Sequence, residues 1–496
     1  MLRGFLVFTV IFLFPAYGAG KRKRRAPTLT ERVETLVAAT PALARSHLGI
    51  RLVSLDGKVI YERNPRSWFV PASNTKLYST ALALTKLGPE YRMNTRVAVE
   101  AEPDAGGVIH GDLRLIGGGD PSLSGRTYPY DKTKEWADTT PGIEELAEML
   151  AAKGIRRIEG AVIGDDTAYV WDPFPEGWGI DDPLYEYGAP VSALTMQDNA
   201  MRLEVRPGPE LGSPAEVVLG PDIGQLTLVP DVVTVAAGER VRIRVERAAN
   251  TSELRLSGGM PLGAPPFTSF LAIVDPAQYA AQALADALVR RGIPVRDAPR
   301  ARHRIGPSET GPEWPVILAV RQSRTLRELL PVVNKVSQNL HAELLLREVS
   351  RQDKPYGSRE AGVAALQEFL IANIGLQKGD VNFMDGSGMS RLNLLTPEAT
   401  AKLLVHMAAS EWKDIWFASL PIGGEDGTLS KRFTGAVEKG IVRAKTGSLS
   451  HVAALGGYLD HPKRGRLAFT ILLNNFNTPA REAREGIDKL VKTLLE

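Results

Sequence analysis

The chain has no cysteine in its 496 residues, which excludes disulfide bridges, thiol catalysis and a lipid-modified cysteine while leaving the compartment open. Histidine is scarce too. Its seven copies, His47, His110, His303, His341, His406, His451 and His461, are scattered without the paired helical spacing that zinc hydrolases use, so neither a metal nor any other cofactor is expected. Low-complexity tracts and internal repeats are missing. The single long apolar run, Phe5 to Phe14, falls short of the about 20 residues that a membrane-spanning helix needs. With 44% hydrophobic and 24% charged residues, the composition is that of a globular protein with ample material for large cores.

An excess of one charge is also lacking. The formal +3 arises at one end: residues 1–25 hold Arg3 and Lys21-Arg22-Lys23-Arg24-Arg25 and no acid, and the remainder carries 54 basic against 57 acidic side chains. Nothing suggests a nucleic-acid partner. Residues 1–25 read as a signal peptide and basic segment: one arginine, the apolar run, then Pro15-Ala16-Tyr17-Gly18 with small residues suited to cleavage. Positive charge beyond an apolar segment tends to stay cytoplasmic. Cleavage and a membrane-associated precursor, with peripheral association of the protein, are therefore both open. The expected location is exported: periplasm, cell envelope or extracellular.

Three motifs follow one another along the chain: Ser73-Asn74-Thr75-Lys76, Ser337-Gln338-Asn339 and Lys445-Thr446-Gly447-Ser448. Pro71-Ala72 runs into a helical pattern, with Leu77, Ala81 and Leu84 spaced by four and three, that Gly88-Pro89 stops; Ser73 is expected to open that helix. Unpaired amides at a helix start carry partial positive charge, which favours an oxyanion forming beside Ser73. Lys76, three residues on, shares its face, with Cβ atoms about 5–6 Å apart. Free lysine titrates at about 10.4, so Lys76 can take the serine proton only if desolvation or a second cation lowers that value. Lys445 is a candidate for that cation, and equally for binding a substrate carboxylate. A second Ser-x-x-Lys, Ser410 to Lys413, follows a helical stretch without such a start and reads as surface.

Ile441 to Leu449 reads as a strand, continued by His451 to Leu459, and Arg466 to Asn474 returns after a hairpin at His461-Pro462-Lys463-Arg464-Gly465. Near the start, Ile50 to Leu55 and Lys58 to Tyr61 flank Asp56-Gly57, a strong hairpin signal. A helical pattern from Ala480 to Leu495 ends the chain. The sheet is therefore expected to be built from both ends of the sequence and covered by helices.

Ser-x-x-Lys with Ser-Asp-Asn and Lys-Thr-Gly is the signature of β-lactamases and penicillin-binding proteins, and the chain has the three in that order. The chain resembles a low-molecular-mass class C penicillin-binding protein, of the D-alanyl-D-alanine carboxypeptidase and endopeptidase family. Gln338 stands where that signature has aspartate. The resemblance extends to Gly117-Gly118-Gly119-Asp120-Pro121, Gly188-Ala189-Pro190-Val191-Ser192-Ala193, Asp385-Gly386-Ser387-Gly388-Met389-Ser390-Arg391 and Gly424-Glu425-Asp426-Gly427-Thr428-Leu429. It implies an α/β (α+β) fold: a penicillin-recognising serine transpeptidase/β-lactamase-like domain, with two smaller domains inserted.

The long interval between Ser73 and Ser337 fits such an insertion. Residues 26–96 and 263–496 are assigned to the catalytic domain, its second part starting at 263 or as late as 315. Residues 97–199 form an α/β insertion, with strand patterns at Val108 to Leu115 and Arg157 to Ile163 around a helix from Gly142 to Lys153. Residues 200–262 form an all-β insertion, with strand patterns at Glu216 to Leu219, Gln225 to Val229, Val232 to Ala236, Val241 to Val245 and Leu254 to Leu256. A helix from Pro276 to Arg291 leads back.

The resemblance implies a serine-type D-Ala-D-Ala carboxypeptidase or DD-endopeptidase acting on peptidoglycan stem peptides. Lys76 deprotonates Ser73, the amides of Ser73 and Ser448 hold the oxyanion, and Ser337 relays a proton to the leaving amine while Asn339 orients the lysine and the substrate amide. Lys445, Thr446 and Ser448 hold the terminal carboxylate. β-Lactams would acylate Ser73 as covalent inhibitors. From Asp165 to Glu186 there are seven acids, no lysine or arginine, and five aromatic residues. In the family this region meets the amine end of the stem's diamino acid; Asp182 is the match, with Tyr187 nearby and Asp181 as an alternative, and Arg391 would meet the carboxylate of the same side chain. A β-lactamase and a non-catalytic peptidoglycan-binding protein are the rival readings.

Overall fold

A computed structural model describes residues 25–496 apart from 135, 138, 222, 249–250 and 307–313, so the signal-peptide reading lies outside the described residues. The two ends of the chain meet in one antiparallel sheet, ordered Val442–Leu449, Val452–His461, Gly465–Asn474, His47–Ser54, Val59–Arg63. His47–Ser54 pairs with Gly465–Asn474 from His47 opposite Asn474 to Ser54 opposite Leu467. Gly57, at φ 87°, makes the Asp56-Gly57 turn into the edge strand.

Strand alternation assigns the two faces. Leu48, Ile50, Leu52 and Phe469 pack with Val33, Ile487, Leu490 and Val491 of helices Leu29–Ala39 and Ala480–Leu494. Val53, Ala468 and Leu472 face the other helical layer, where Leu77, Leu84 and Leu404 lie. Within that layer the helix Thr75–Leu87 is buried on every side from Thr75 to Leu84. Its polar groups are satisfied internally, Ser79 Oγ donating to Gly386 O at 2.8 Å and the Tyr78 and Thr400 hydroxyls meeting at 2.9 Å.

The chain leaves the domain built on this sheet at Met93 and re-enters it at Ser323. Ser323 N–H donates to Met93 O at 2.8 Å and Met93 N–H to Ser323 Oγ at 2.9 Å, closing the neck. Beyond it lies a second five-stranded sheet, ordered Arg300–Arg304, Val162–Val170, Leu113–Ile116, Asn94–Val99, Val316–Gln322. Helices Pro141–Ala152 and Pro276–Arg290 share its core through Ile143, Leu146, Leu284 and Leu288. The insertion also holds a two-stranded pairing, Val108–Ile109 with Arg157–Ile158, and two three-stranded sheets: Thr227–Val235, Glu253–Pro261, Arg242–Arg247 and Phe267–Ala272, Ala200–Arg206, Glu216–Gly220.

These pairings move three expected boundaries, the first from 97 back to Asn94, which pairs with Gln322 in the second sheet. The all-β part runs past 262 to Ala272, because Phe267–Ala272 pairs with Ala200–Arg206. Residues 263–315 do not belong with the sheet of the chain ends: Arg300–Arg304 and Val316–Gln322 form the edges of the second sheet, and the return falls after Gln322. The patterns at Gln225 to Val229 and Val232 to Ala236, expected as two strands with Pro230 between them, fall in one, Thr227–Val235, an edge strand, where the missing N–H of Pro230 is tolerated.

Candidate active site

Ser73 lies in a tight 3-10 turn, Ala72–Asn74, continuous with the helix Thr75–Leu87. Ala72 carries a left-handed φ of 48°, uncommon without glycine and costly enough to persist only where the surroundings fix it. They do so on two sides. A Cβ on Gly388, itself at φ 85°, would collide with the Ala72 carbonyl oxygen, and one on Gly447 would stand 2.6 Å from the Pro71 carbonyl oxygen. The Asp385–Arg391 loop and the Val442–Leu449 strand thus clamp the backbone ahead of Ser73.

Lys76 is fully buried, and its Nζ donates to Ser73 Oγ at 2.9 Å, to Ser387 O at 2.7 Å and to Asn339 Oδ1. Burial brings its pKa down to about 7, against the upward pull of the Asp385 and Glu343 carboxylates. In the neutral form two N–H groups can stay on Asn339 and Ser387, which aims the lone pair at the Ser73 hydroxyl. Lys445 is buried too; its Nζ donates to Ser337 Oγ at 2.8 Å and to Thr446 O at 2.9 Å. Burial first, and then the charge of Lys76, push it well below its usual value.

Ser337 sits at φ 69° after the π-helical turn Val332–Val336, and Asn339 opens the helix Asn339–Ser350. Gln338, the departure from the usual aspartate, caps that helix by accepting from His341 N–H at 3.3 Å. Asn339 Nδ2 donates to Tyr187 O at 2.7 Å, a contact across from the insertion. Thr446 and Ser448, two apart on their strand, share a face. The Thr446 hydroxyl meets Thr428 Oγ1 at 2.9 Å, and Ser448 is exposed. Thr428 is held by the turn before it: Asp426 pairs with Lys335 and accepts Ile422 N–H at 2.9 Å, and Gly427 approaches the Lys335 backbone at φ 56°.

Asp182 and Arg391 also come together. Asp182 Oδ2 accepts Gly179 N–H at 2.7 Å; burial, and then Asp181, push its carboxyl up while Arg391 pulls it down. Arg391 donates from its backbone to Gly177 O at 3.3 Å and from Nη2 to Ser450 O at 3.0 Å. Trp178 Nε1 donates to Asp385 Oδ2 at 3.0 Å, so the acidic and aromatic stretch lies against the Asp385–Arg391 loop. Several of its acids are tied internally, Asp165 to Arg114, Asp166 to His303 and Ser192, and Asp172 to Arg359. Ser410, of the second Ser-x-x-Lys, bonds the Met407 carbonyl at a helix end, and Lys413 is exposed.

Sequence reasoning quoted Thr428 without a role, and missed Glu343 and the carbonyls of Ser387 and Tyr187. Glu343 Oε1 accepts the N–H groups of Gly386 and Ser387 at 2.9 and 2.8 Å and so fixes the two peptides ahead of the one whose carbonyl holds Lys76; that one's own N–H, from Gly388, goes to Asp385 Oδ1 at 2.8 Å. The place of Glu343 four residues after Asn339, on one helical face, was a usable signal. Backbone carbonyls leave none.

The chain is 32% identical over 470 residues to the D-alanyl-D-alanine carboxypeptidase of Actinomadura sp., covering 92% of this chain and 82% of that protein. It is 24% identical to the D-alanyl-D-alanine carboxypeptidase DacB of Haemophilus influenzae, over 88% of this chain and 87% of that one. The crystal structure of penicillin binding protein 4 from Haemophilus influenzae superposes with a TM-score of 0.78 at 23% identity, over 93% of this chain and 98% of that one, and has the same fold. Residues 29–494 match the D-Ala-D-Ala carboxypeptidase 3 (S13) family, and the chain belongs to it.

Proposed function

We propose that Ser73 is the acylating nucleophile of a serine-type D-Ala-D-Ala carboxypeptidase acting on peptidoglycan stem peptides, with Lys76 as its base. The observation that carries this reading is the convergence of three distant motifs on two buried lysines: Lys76 on Ser73 and Asn339, Lys445 on Ser337. Lys76 takes the Ser73 proton as Oγ attacks the penultimate D-alanine carbonyl, and the amides of Ser73 and Ser448 receive the oxyanion. Ser337, bonded to Lys445, returns a proton to the leaving amine. Lys445, Thr446 and Ser448 hold the terminal carboxylate, and water then hydrolyses the acyl-enzyme. Asp182 and Arg391, opposite charges at one rim, suit the zwitterionic end of the stem's diamino acid. The same residues serve cleavage of a cross-link, where the bond again joins D-alanine to a D-centre.

Action on peptidoglycan stem peptides supports a location outside the cytoplasm. Among the described residues, no helix is long and apolar enough to cross a membrane. Intact mass of residues 26–496 before and after benzylpenicillin, with Ser73→Ala alongside, tests the assignment. The expected result is a persistent adduct on the parent, none on the variant, and D-alanine release by the parent alone. Rapid loss of the drug without an adduct would instead identify a β-lactamase.

A further inference from the structure

Residues 125–134 and 136–137 lie in a stretch whose ends return to one place. Gly125 N–H donates to Gln197 Oε1, Trp136 Nε1 reaches the same oxygen at 3.3 Å, and Gln197 Nε2 donates to Ala137 O at 2.8 Å, so one glutamine ties the neck. Compact surface loops closed in this way are frequently functional. Gln197, Asp198 and Asn199 all take left-handed backbone, at φ 51°, 52° and 53°, which persists only where the surroundings demand it. Buried Asp198 accepts from Arg126 Nε and, at 3.3 Å, from Gln338 Nε2, and bonds His341 Nε2 at 2.9 Å. The loop base and the helix carrying Asn339 thus share one carboxylate.

The tip crosses to the opposite wall of the cleft. Lys132 Nζ donates to Glu425 O at 2.9 Å, the Tyr130 hydroxyl meets the backbone of Gly427, and the Tyr130 ring lies 6.0 Å from Lys335 Nζ. Glu425 and Gly427 lead directly into Thr428, the partner of Thr446. Beneath this bridge is a cavity of about 230 Å³, lined by Thr127, Tyr130, Lys132, Lys134, Trp136 and Val336 among others. Val336 immediately precedes Ser337.

That position determines what the cavity can hold. The leaving nitrogen takes its proton beside Ser337 and the leaving residue's carboxylate meets Thr446, so the leaving residue lies between the two. Free D-alanine ends there. In a cross-linked substrate the leaving residue belongs to a second stem, whose remaining peptide extends beyond these two residues, and the cavity bordered by Val336 lies next to that position. We propose that this cavity is the subsite for the second, carboxylate-bearing stem, with Lys132 and Lys134 supplying positive charge and Tyr130 and Trp136 supplying apolar walls. Both lysines are exposed at the rim. Asp131, the acid in the lining, already accepts the N–H and hydroxyl of Thr133 at 2.8 and 2.7 Å. The inference rests on the acyl-transfer reading above and gives this protein a built preference for cross-links.

The test compares the parent with the K132E/K134E and K132R/K134R variants in three assays: acylation by benzylpenicillin, D-alanine release from a soluble stem pentapeptide, and cleavage of a purified cross-linked stem dimer. Charge reversal is expected to lower the ratio of dimer cleavage to D-alanine release about tenfold, chiefly through KM, and the arginine pair to keep it. K134E alone leaves the Lys132 bond to Glu425 in place and is expected to lower the ratio about threefold. An unaltered ratio in a reversed variant, or equal loss in all three assays, overturns the subsite. A parent that is neither acylated nor releases D-alanine overturns the underlying reading instead, and this one with it.

Discussion

Lys76 spends its three hydrogen-bonding directions on Ser73, Asn339 and the Ser387 carbonyl, with no carboxylate in contact, so its charge is held only by distant acids. The rate of acylation by benzylpenicillin should therefore rise with pH through about 7, as the lysine loses its proton, and level off above it. A rate flat from about pH 5 to 9 would count against Lys76 as the base. Glu343→Gln removes one of the two charges that raise this pKa, and the midpoint should move to lower pH. Stopped-flow acylation across pH measures both. The serines and lysines of the site were legible in the sequence because few other chemistries need those residue types in that order. Asp182 and Arg391 were legible only through the family resemblance. The Ser387 and Tyr187 carbonyls were not legible at all, because any residue can present a carbonyl.

Among the elements, the turn at Asp426-Gly427-Thr428 connects the helix before Ser337 to the strand of Thr446. A Cβ at Gly427 would stand 2.7 Å from the Lys335 carbonyl oxygen, on backbone that already disfavours one. Gly427→Ala should cost about 1–3 kcal/mol of stability and slow acylation as Thr428 is displaced, read by thermal melting alongside the adduct rate. The sheet of the chain ends was readable from strand alternation and the Asp56-Gly57 turn, which are local signals. Arg300–Arg304 was not: its five residues include a single apolar one, Ala301, and it is a strand because Val162–Val170 lies beside it. Pro230 misled for the opposite reason, since its local meaning as a breaker yields at a sheet edge.

Across the whole molecule, His303 joins that edge strand to Asp166 and to Asp275, the residue that caps Pro276–Arg290, and stacks on Trp171 with ring centroids 3.9 Å apart. Burial disfavours its charge, but the two carboxylates prevail and raise its pKa from 6.5 to about 10. A pKa raised by folding adds stability that is complete below about 6.5 and is lost as pH rises through about 10. The melting temperature of the parent over His303→Gln should accordingly be largest near pH 6 and shrink towards pH 10. That an insertion exists was legible from the spacing of the motifs; its exit was not, because the strands that settle it are paired far away in sequence. The closed neck at Met93 and Ser323 also has a temporal meaning. The insertion, with its own core, is complete once residue 322 has emerged, whereas His47–Ser54 must wait for Gly465–Asn474, made almost last. The nucleophile is made early and armed late: until the last strands arrive, Lys445 is absent and Ser73 has no site to act in.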